Sequence, residues 1–119
     1  MLRRMTADLD ILRDRLRAFA LERDWGPFHS PKNLASALSV EAAELLEHFQ
    51  WMTEAQSRAP DAAQRAEIAH EAADVLLYLI QLADQLEIDL LAAADRKMAM
   101  NAAKYPVDSA RGNSGKPAG

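Results

Sequence analysis

The run Val75-Leu76-Leu77-Tyr78-Leu79-Ile80 constrains this chain more than any other feature. It lies inside a long helix-patterned segment. Wound at about 3.6 residues per turn, its side chains cover most of the helix circumference. Such a helix cannot rest with one side in water, because each large apolar side chain left exposed forfeits roughly 1.5–3 kcal/mol. It must lie between other helices or in a subunit interface. At 119 residues the chain can build one core and no second. The expected fold is therefore all-α, a compact bundle of helices assembled with other subunits.

The rest of the pattern supplies four main helices. Leu9, Leu12, Leu16, Phe19 and Ala20 recur at three- and four-residue steps between Thr6, a candidate N-cap, and Asp24-Trp25-Gly26-Pro27, which ends the pattern. Ser30 followed by Pro31 reads as the cap and first position of a second helix running to about Met52. Polar residues and Pro60 then make a loop from about Thr53. Asp61 with Gln64 is a capping-box variant that opens a third helix, the one carrying the apolar run, which continues to about Glu87. Asp89 caps an Ala-rich fourth helix to about Lys104, where Tyr105-Pro106 stops it. Residues 1–105 are thus expected to form the helical domain, and 106–119 a polar, partly disordered tail.

Composition excludes several function classes. Fourteen Lys and Arg against eighteen Asp and Glu leave a net charge of -4, so nucleic acid and anionic membranes have no general attraction for the chain. With no cysteine there is no disulfide framework, thiolate metal site or Cys nucleophile. The basic start Met1-Leu2-Arg3-Arg4 is followed at once by Asp8, Asp10 and Asp14, which suits neither a signal nor a transit peptide. No apolar run approaches spanning length. A cytoplasmic protein that partners neither nucleic acid nor membrane is the expectation.

The chemistry is carried by acids. Glu41 and Glu44 in the second helix, and Glu71 and Asp74 in the third, stand three residues apart, so each pair shares a helix face. On a solvated face each like-charge pair costs only roughly 0.2–0.5 kcal/mol, and paired surface acids are common. These, however, sit among Leu38, Val40, Leu45 and Leu46 or directly before the apolar run. A charge at a core boundary must be paired, protonated or bound to a cation. Should the two helices pack antiparallel, the four carboxylates face one another as an all-oxygen site that suits Mg²⁺ or Mn²⁺. Glu47 and Glu67, one turn from Glu44 and Glu71, could extend it.

Two further features gain weight beside such a site. Lys97, Asn101 and Lys104 fall at i, i+4 and i+7 of the fourth helix, a stripe of two cations and an amide. Alone it reads as a solvated helix end where cations are favoured; beside a metal site it suits the phosphates of a chelated polyphosphate. Trp25, Phe28 and His29 in the first connection, Trp51 and Tyr78 either plug the bundle or stack on a nucleobase, at roughly 1–3 kcal/mol per base.

The Glu41-x-x-Glu44 and Glu71-x-x-Asp74 pairs resemble the signature of MazG-like nucleotide pyrophosphohydrolases, in the all-α NTP pyrophosphatase superfamily. Arg23-Asp24-Trp25, Phe28-His29-x-Pro31-x-Asn33-Leu34, Phe49-Gln50-Trp51, Asp74-Val75-Leu76-x-Tyr78-Leu79, Lys97-Met98-x-x-Asn101 and Tyr105-Pro106-Val107 are similar to its dCTP pyrophosphatase subgroup. The likeness spans roughly residues 9–112. It implies Mg²⁺-dependent hydrolysis of a nucleoside triphosphate, dCTP or a modified dCTP, to monophosphate and pyrophosphate by a homotetramer that cleans the nucleotide pool. Carried over, Glu41, Glu44, Glu71 and Asp74 hold metal; a Glu not fully committed to metal can orient the attacking water and take its proton, and Glu41 is the candidate for that role. Lys97 and Asn101, then Lys104 and Arg111, meet the phosphates, and His29, Trp51 and Tyr78, with Trp25 and Phe28, line the base and sugar pocket. Two rival readings start from the same residues. A non-catalytic oligomerisation bundle accounts for the apolar helices but not for acids beside the core. A carboxylate di-iron bundle requires two Glu-x-x-His motifs, and only Glu67-x-x-His70 is present.

Overall fold

The computed structural model describes Leu2 to Asn113, with side chains from Ala7 onward. Its main helices are α1 (Leu2–Glu22), α2 (Pro31–Glu47), α4 (Ala62–Gln85) and α5 (Leu90–Lys104), with a 3-10 turn at Gly26–Phe28 and two single-turn helices, α3 (Glu54–Ser57) and α6 (Val107–Ala110). No strand occurs among the described residues, so the all-α expectation holds. None of their helices is long and apolar enough to cross a membrane.

The sequence caps three of the main helices as their residue types demand. The Ser30 hydroxyl accepts from the Asn33 N–H at 3.1 Å, with Pro31 occupying the first helical position. At α4, Asp61 accepts from the Gln64 N–H at 2.8 Å and the Gln64 amide oxygen accepts from the Asp61 N–H at 2.9 Å. Asp89 accepts from the Ala92 N–H at 3.0 Å. Because the Asp61 box satisfies two otherwise unpaired N–H groups, Asp61→Ala is expected to cost about 1 kcal/mol of stability. The check is a lower urea midpoint with an unchanged denaturant slope.

Three boundaries differ from the sequence pattern. Helix α1 starts at Leu2, before Thr6; Leu2-Arg3-Arg4-Met5 are good helix formers, and their propensity outweighs the capping preference of Thr6. Helix α2 stops at Glu47, five residues short of Met52, because the backbone tightens there: His48 and Phe49 N–H groups bond back three residues to Leu45 and Leu46 carbonyls. Thr53, expected in a loop, has extended backbone and caps α3 through a full capping box with Gln56. That second box requires the chain to leave α2 before Thr53. The expected tail contains a helical turn at Val107–Ala110, and residues 114–119 lie outside the described residues.

The backbone divides into two compact units, Met1–Glu87 and Ile88–Gly119. In the first, α4 packs extensively on α2 and less so on α1. The α2–α4 pair is antiparallel: His48 at the end of α2 lies 4.0 Å from Glu67, whereas Glu41 and Glu44, earlier on α2, meet Glu71, later on α4. Arg17 ties α1 to α4 through two hydrogen bonds to Asp84, its Nε donating to Oδ2 at 2.8 Å. The guanidinium holds the Asp84 carboxyl below the usual carboxylate range. Among the described residues only Leu34, Ile80 and Ala83 are buried, while Val40, Leu46 and Leu76 remain exposed. One copy of this chain leaves much of its apolar surface in water.

Candidate metal and nucleotide site

Three half-buried carboxylates converge where α2 crosses α4. Glu41, Glu44 and Glu71 each place an oxygen within 4.8 Å of the others. The i,i+3 spacing on α2 aims Glu41 and Glu44 the same way, and antiparallel packing sets Glu71 against both. Oε2 of Glu41 and Oε2 of Glu71 are buried with no hydrogen-bond partner. With all three groups ionised, a proton or a cation relieves their mutual repulsion. A proton goes to Glu41: sharing it with Glu44 first, then burial, then sharing with Glu71, raises the Glu41 pKa to about 7, with the charges of Glu44 and Asp74 adding to the effect. Asp74, one turn beyond Glu71, is exposed and stands outside the tight trio.

Glu41 and Asp74 open onto a cavity of about 160 Å³ whose remaining lining is Leu16, Phe19 and Ala20 of α1, Trp25 and His29 of the connection, and Leu77, Tyr78 and Gln81 of α4. The local sequence sets this wall in place. Asp24 adopts a left-handed backbone (φ 53°), and the Asp24 and Trp25 N–H groups bond back to the Leu21 and Ala20 carbonyls at 3.2 and 2.9 Å. That paired closure ends α1 and folds Trp25 back over its last turn. The Trp25 ring meets Phe19 edge-on at 5.6 Å and His29 edge-on at 6.2 Å. The Asn33 side chain donates to the Phe28 carbonyl at 3.1 Å and fastens the loop to the start of α2. The Arg23 guanidinium stacks 3.5 Å from the Phe19 ring centre.

The fold therefore brings together Glu41, Glu44 and Glu71, and sets Glu41 and Asp74 beside Trp25, His29 and Tyr78. Phe28 and Trp51 do not line this cavity; they are 66% and 90% exposed. Glu47 and Glu67 are exposed and outside the trio. Lys97, Asn101, Lys104 and Arg111 belong to the second unit. There Lys97, Lys104 and Arg111 are exposed and Asn101 is half-buried, and the Lys104 ammonium lies 5.6 Å from the ring of Tyr105. The metal-competent group consists of carboxylates alone, unlike the ligand set of a di-iron bundle. Leu16, Phe19, Ala20, Leu77 and Gln81 line the cavity as well; in the sequence the first four carry only helical periodicity, which marks the wall of a cavity and the core alike, and Gln81 stands outside any motif.

The chain is 45% identical over 97 residues to dCTP pyrophosphatase 1 of Rattus norvegicus and 44% over 100 residues to dCTP pyrophosphatase 1 of Homo sapiens; the alignments cover 80% and 82% of this chain. It spans about 57% and 59% of the length of those relatives. The crystal structure of a pyrophosphatase from Archaeoglobus fulgidus superposes with a TM-score of 0.73 at 43% identity, covering 83% of this chain and 93% of that one. The sequence profile of the MazG-like family matches residues 36–117, a stretch that begins before Glu41 and contains all four acids. The chain belongs to the MazG-like family.

Proposed function

We propose that this chain is a divalent-metal-dependent nucleoside triphosphate pyrophosphohydrolase that converts dCTP or a modified dCTP to the monophosphate and pyrophosphate. The observation that carries the reading is the carboxylate trio with two unpartnered buried oxygens, opening through Glu41 and Asp74 into a ring-lined cavity. The names of the relatives agree with it. An all-oxygen, multiply charged set of this kind fits Mg²⁺ or Mn²⁺. Glu41, Glu44, Glu71 and Asp74 would hold the ion. When bound, it offsets the negative charge of the triphosphate against which a nucleophile must approach.

The remaining work falls to the chain itself. Trp25, His29 and Tyr78 supply faces and edges against which base and sugar rest, fixing the triphosphate toward the acids. Lys97 and Asn101, with Lys104 and Arg111 as further candidates, have the donor chemistry for phosphate oxygens. Glu41, at the boundary between trio and cavity and with a proton affinity near neutrality, takes a proton from the attacking water. The water oxygen bonds to phosphorus as the bridging P–O bond to pyrophosphate breaks, and the leaving group carries away that electron pair. In the assembled enzyme, which we read as a cytoplasmic homotetramer, further copies would cover the exposed apolar residues of α2 and α4.

Incubation with a panel of ordinary and modified dNTPs plus Mg²⁺, scoring pyrophosphate against orthophosphate, tests the reading. Pyrophosphate release with cytosine nucleotides foremost is expected, and chelation of the metal should stop it. Orthophosphate alone, or no hydrolysis of any nucleotide, would overturn it.

A further inference from the structure

Along α4 the residues that face the site come in a fixed order. Asp74, Tyr78 and Gln81 stand at i, i+4 and i+7, and all three line the cavity. At about 1.5 Å per residue, Gln81 lies about 10 Å along the helix from Asp74. A carboxylate, a ring and an amide in that sequence parallel the order of a nucleotide's parts: charged tail, sugar, base. Gln81 also borders a smaller hollow of about 40 Å³ lined by Arg13, Arg17, His29 and Asp84, so it marks the end of the cavity away from Glu41.

Gln81 is half-buried, and its orientation is held. Its Nε2 donates to the Leu77 carbonyl at 3.2 Å. Exchanging the amide's oxygen and nitrogen would set Oε1 against that carbonyl, two acceptors facing each other, so the tether keeps Oε1 on the free side. An acceptor fixed in this way meets an amino group favourably and a keto oxygen unfavourably. Trp25 can only donate, Glu41 and Asp74 are committed to the charged end, and His29 and Tyr78 can each either donate or accept. Gln81 is the lining amide whose acceptor is held by its own hydrogen bond to the helix backbone.

We propose that Gln81 is a specificity-determining residue that accepts a hydrogen bond from the exocyclic amino group of the base, and so selects an amino-bearing pyrimidine over its keto counterpart. This rests on the pyrophosphohydrolase reading above. Cytosine and uracil nucleotides share ring size, sugar and phosphates and differ on one edge, at the C4 amino or keto group and the N3 proton that goes with it, so comparing dCTP with dUTP holds stacking and phosphate binding constant while that edge changes.

The experiment measures kcat/KM for dCTP and dUTP with wild type, Gln81→Leu and Gln81→Met, with circular dichroism to confirm folding; either folded variant suffices. Wild type should prefer dCTP. Each variant should lose about tenfold on dCTP with little change on dUTP, the size of one buried hydrogen bond removed. An unchanged dCTP-to-dUTP ratio, an equal fall on both substrates, or a wild type that prefers dUTP overturns the role of Gln81 and leaves the hydrolase reading standing. A wild type inert toward every dNTP overturns that reading and the inference with it.

Discussion

Glu71→Gln is expected to lower triphosphate turnover by at least about 10³-fold, the scale set by losing several kcal/mol of metal-ion stabilisation. The helical circular dichroism should stay intact. Glu71 is α4's contribution to the trio, and its Oε2 is buried with no hydrogen-bond partner. The amide preserves shape but removes the charge that a hard cation needs. A Mg²⁺ titration of the variant should show weaker binding, followed by calorimetry. Asp74→Asn is expected to abolish turnover too, even though Asp74 is exposed, because it supplies negative charge at the mouth where trio and cavity meet. Undiminished pyrophosphate release by both variants would reject the site.

The site's acids were legible because two independent periodicities coincide in them. A three-residue spacing puts two carboxylates on one face of a helix whatever the tertiary fold, and apolar neighbours on the other faces tell which way that face must turn. The convergence of Glu41, Glu44 and Glu71 needed only the antiparallel register, which a short connection favours. Helix starts at Pro31, Ala62 and Leu90 were equally legible, since the Ser30, Asp61 and Asp89 side chains each satisfy an N–H that the helix cannot.

What was not legible depends on contacts distant in sequence or on competition between two valid signals. Thr53-x-x-Gln56 is as good a capping box as Asp61-x-x-Gln64, yet it follows directly on an apolar pattern that extends to Met52 and falls among polar residues before Pro60 that read as a loop. Phe19 and Leu16 read as core residues, whereas α1 places them on a cavity wall and leaves Phe19 45% exposed. Their place follows from how α1 lies on α4, fixed in part by Arg17 and Asp84, sixty-seven residues apart. Trp51 fits an aromatic pocket by type, but the tight turn after Glu47 carries it to a 90% exposed position. For any aromatic residue, type sets a preference for burial, and the backbone's exit from the helix decides whether that preference is met within one chain.

Glu41→Gln is expected to reduce turnover by roughly 10²–10⁴-fold, the usual worth of a positioned general base, and at the same time to flatten a stability trend. A glutamate in the unfolded chain titrates near 4.5, and in the folded site Glu41 does so at about 7. Between those values the native state binds the extra proton, so stability falls as pH rises. The stabilisation is complete below the unfolded value and is lost as pH passes through the folded one. The Arg17–Asp84 pair acts oppositely and at lower pH, because the lowered Asp84 pKa gives stability that is lost only in acid below the usual Asp value. Metal-free wild type should therefore melt at a lower temperature near about pH 8 than near about pH 5. Saturating Mg²⁺ should restore the difference, since a cation bound by the native state alone stabilises it by mass action. In Glu41→Gln the titrating group is gone, so thermal melts without metal should be flatter across this interval and higher than wild type at its alkaline end. A metal-free wild type that instead grows more stable from about pH 5 to about pH 8 would show that the three carboxylates do not share a proton. Crowding of charge at this helix crossing destabilises the empty fold, and the same crowding draws in the cation that the proposed reaction requires.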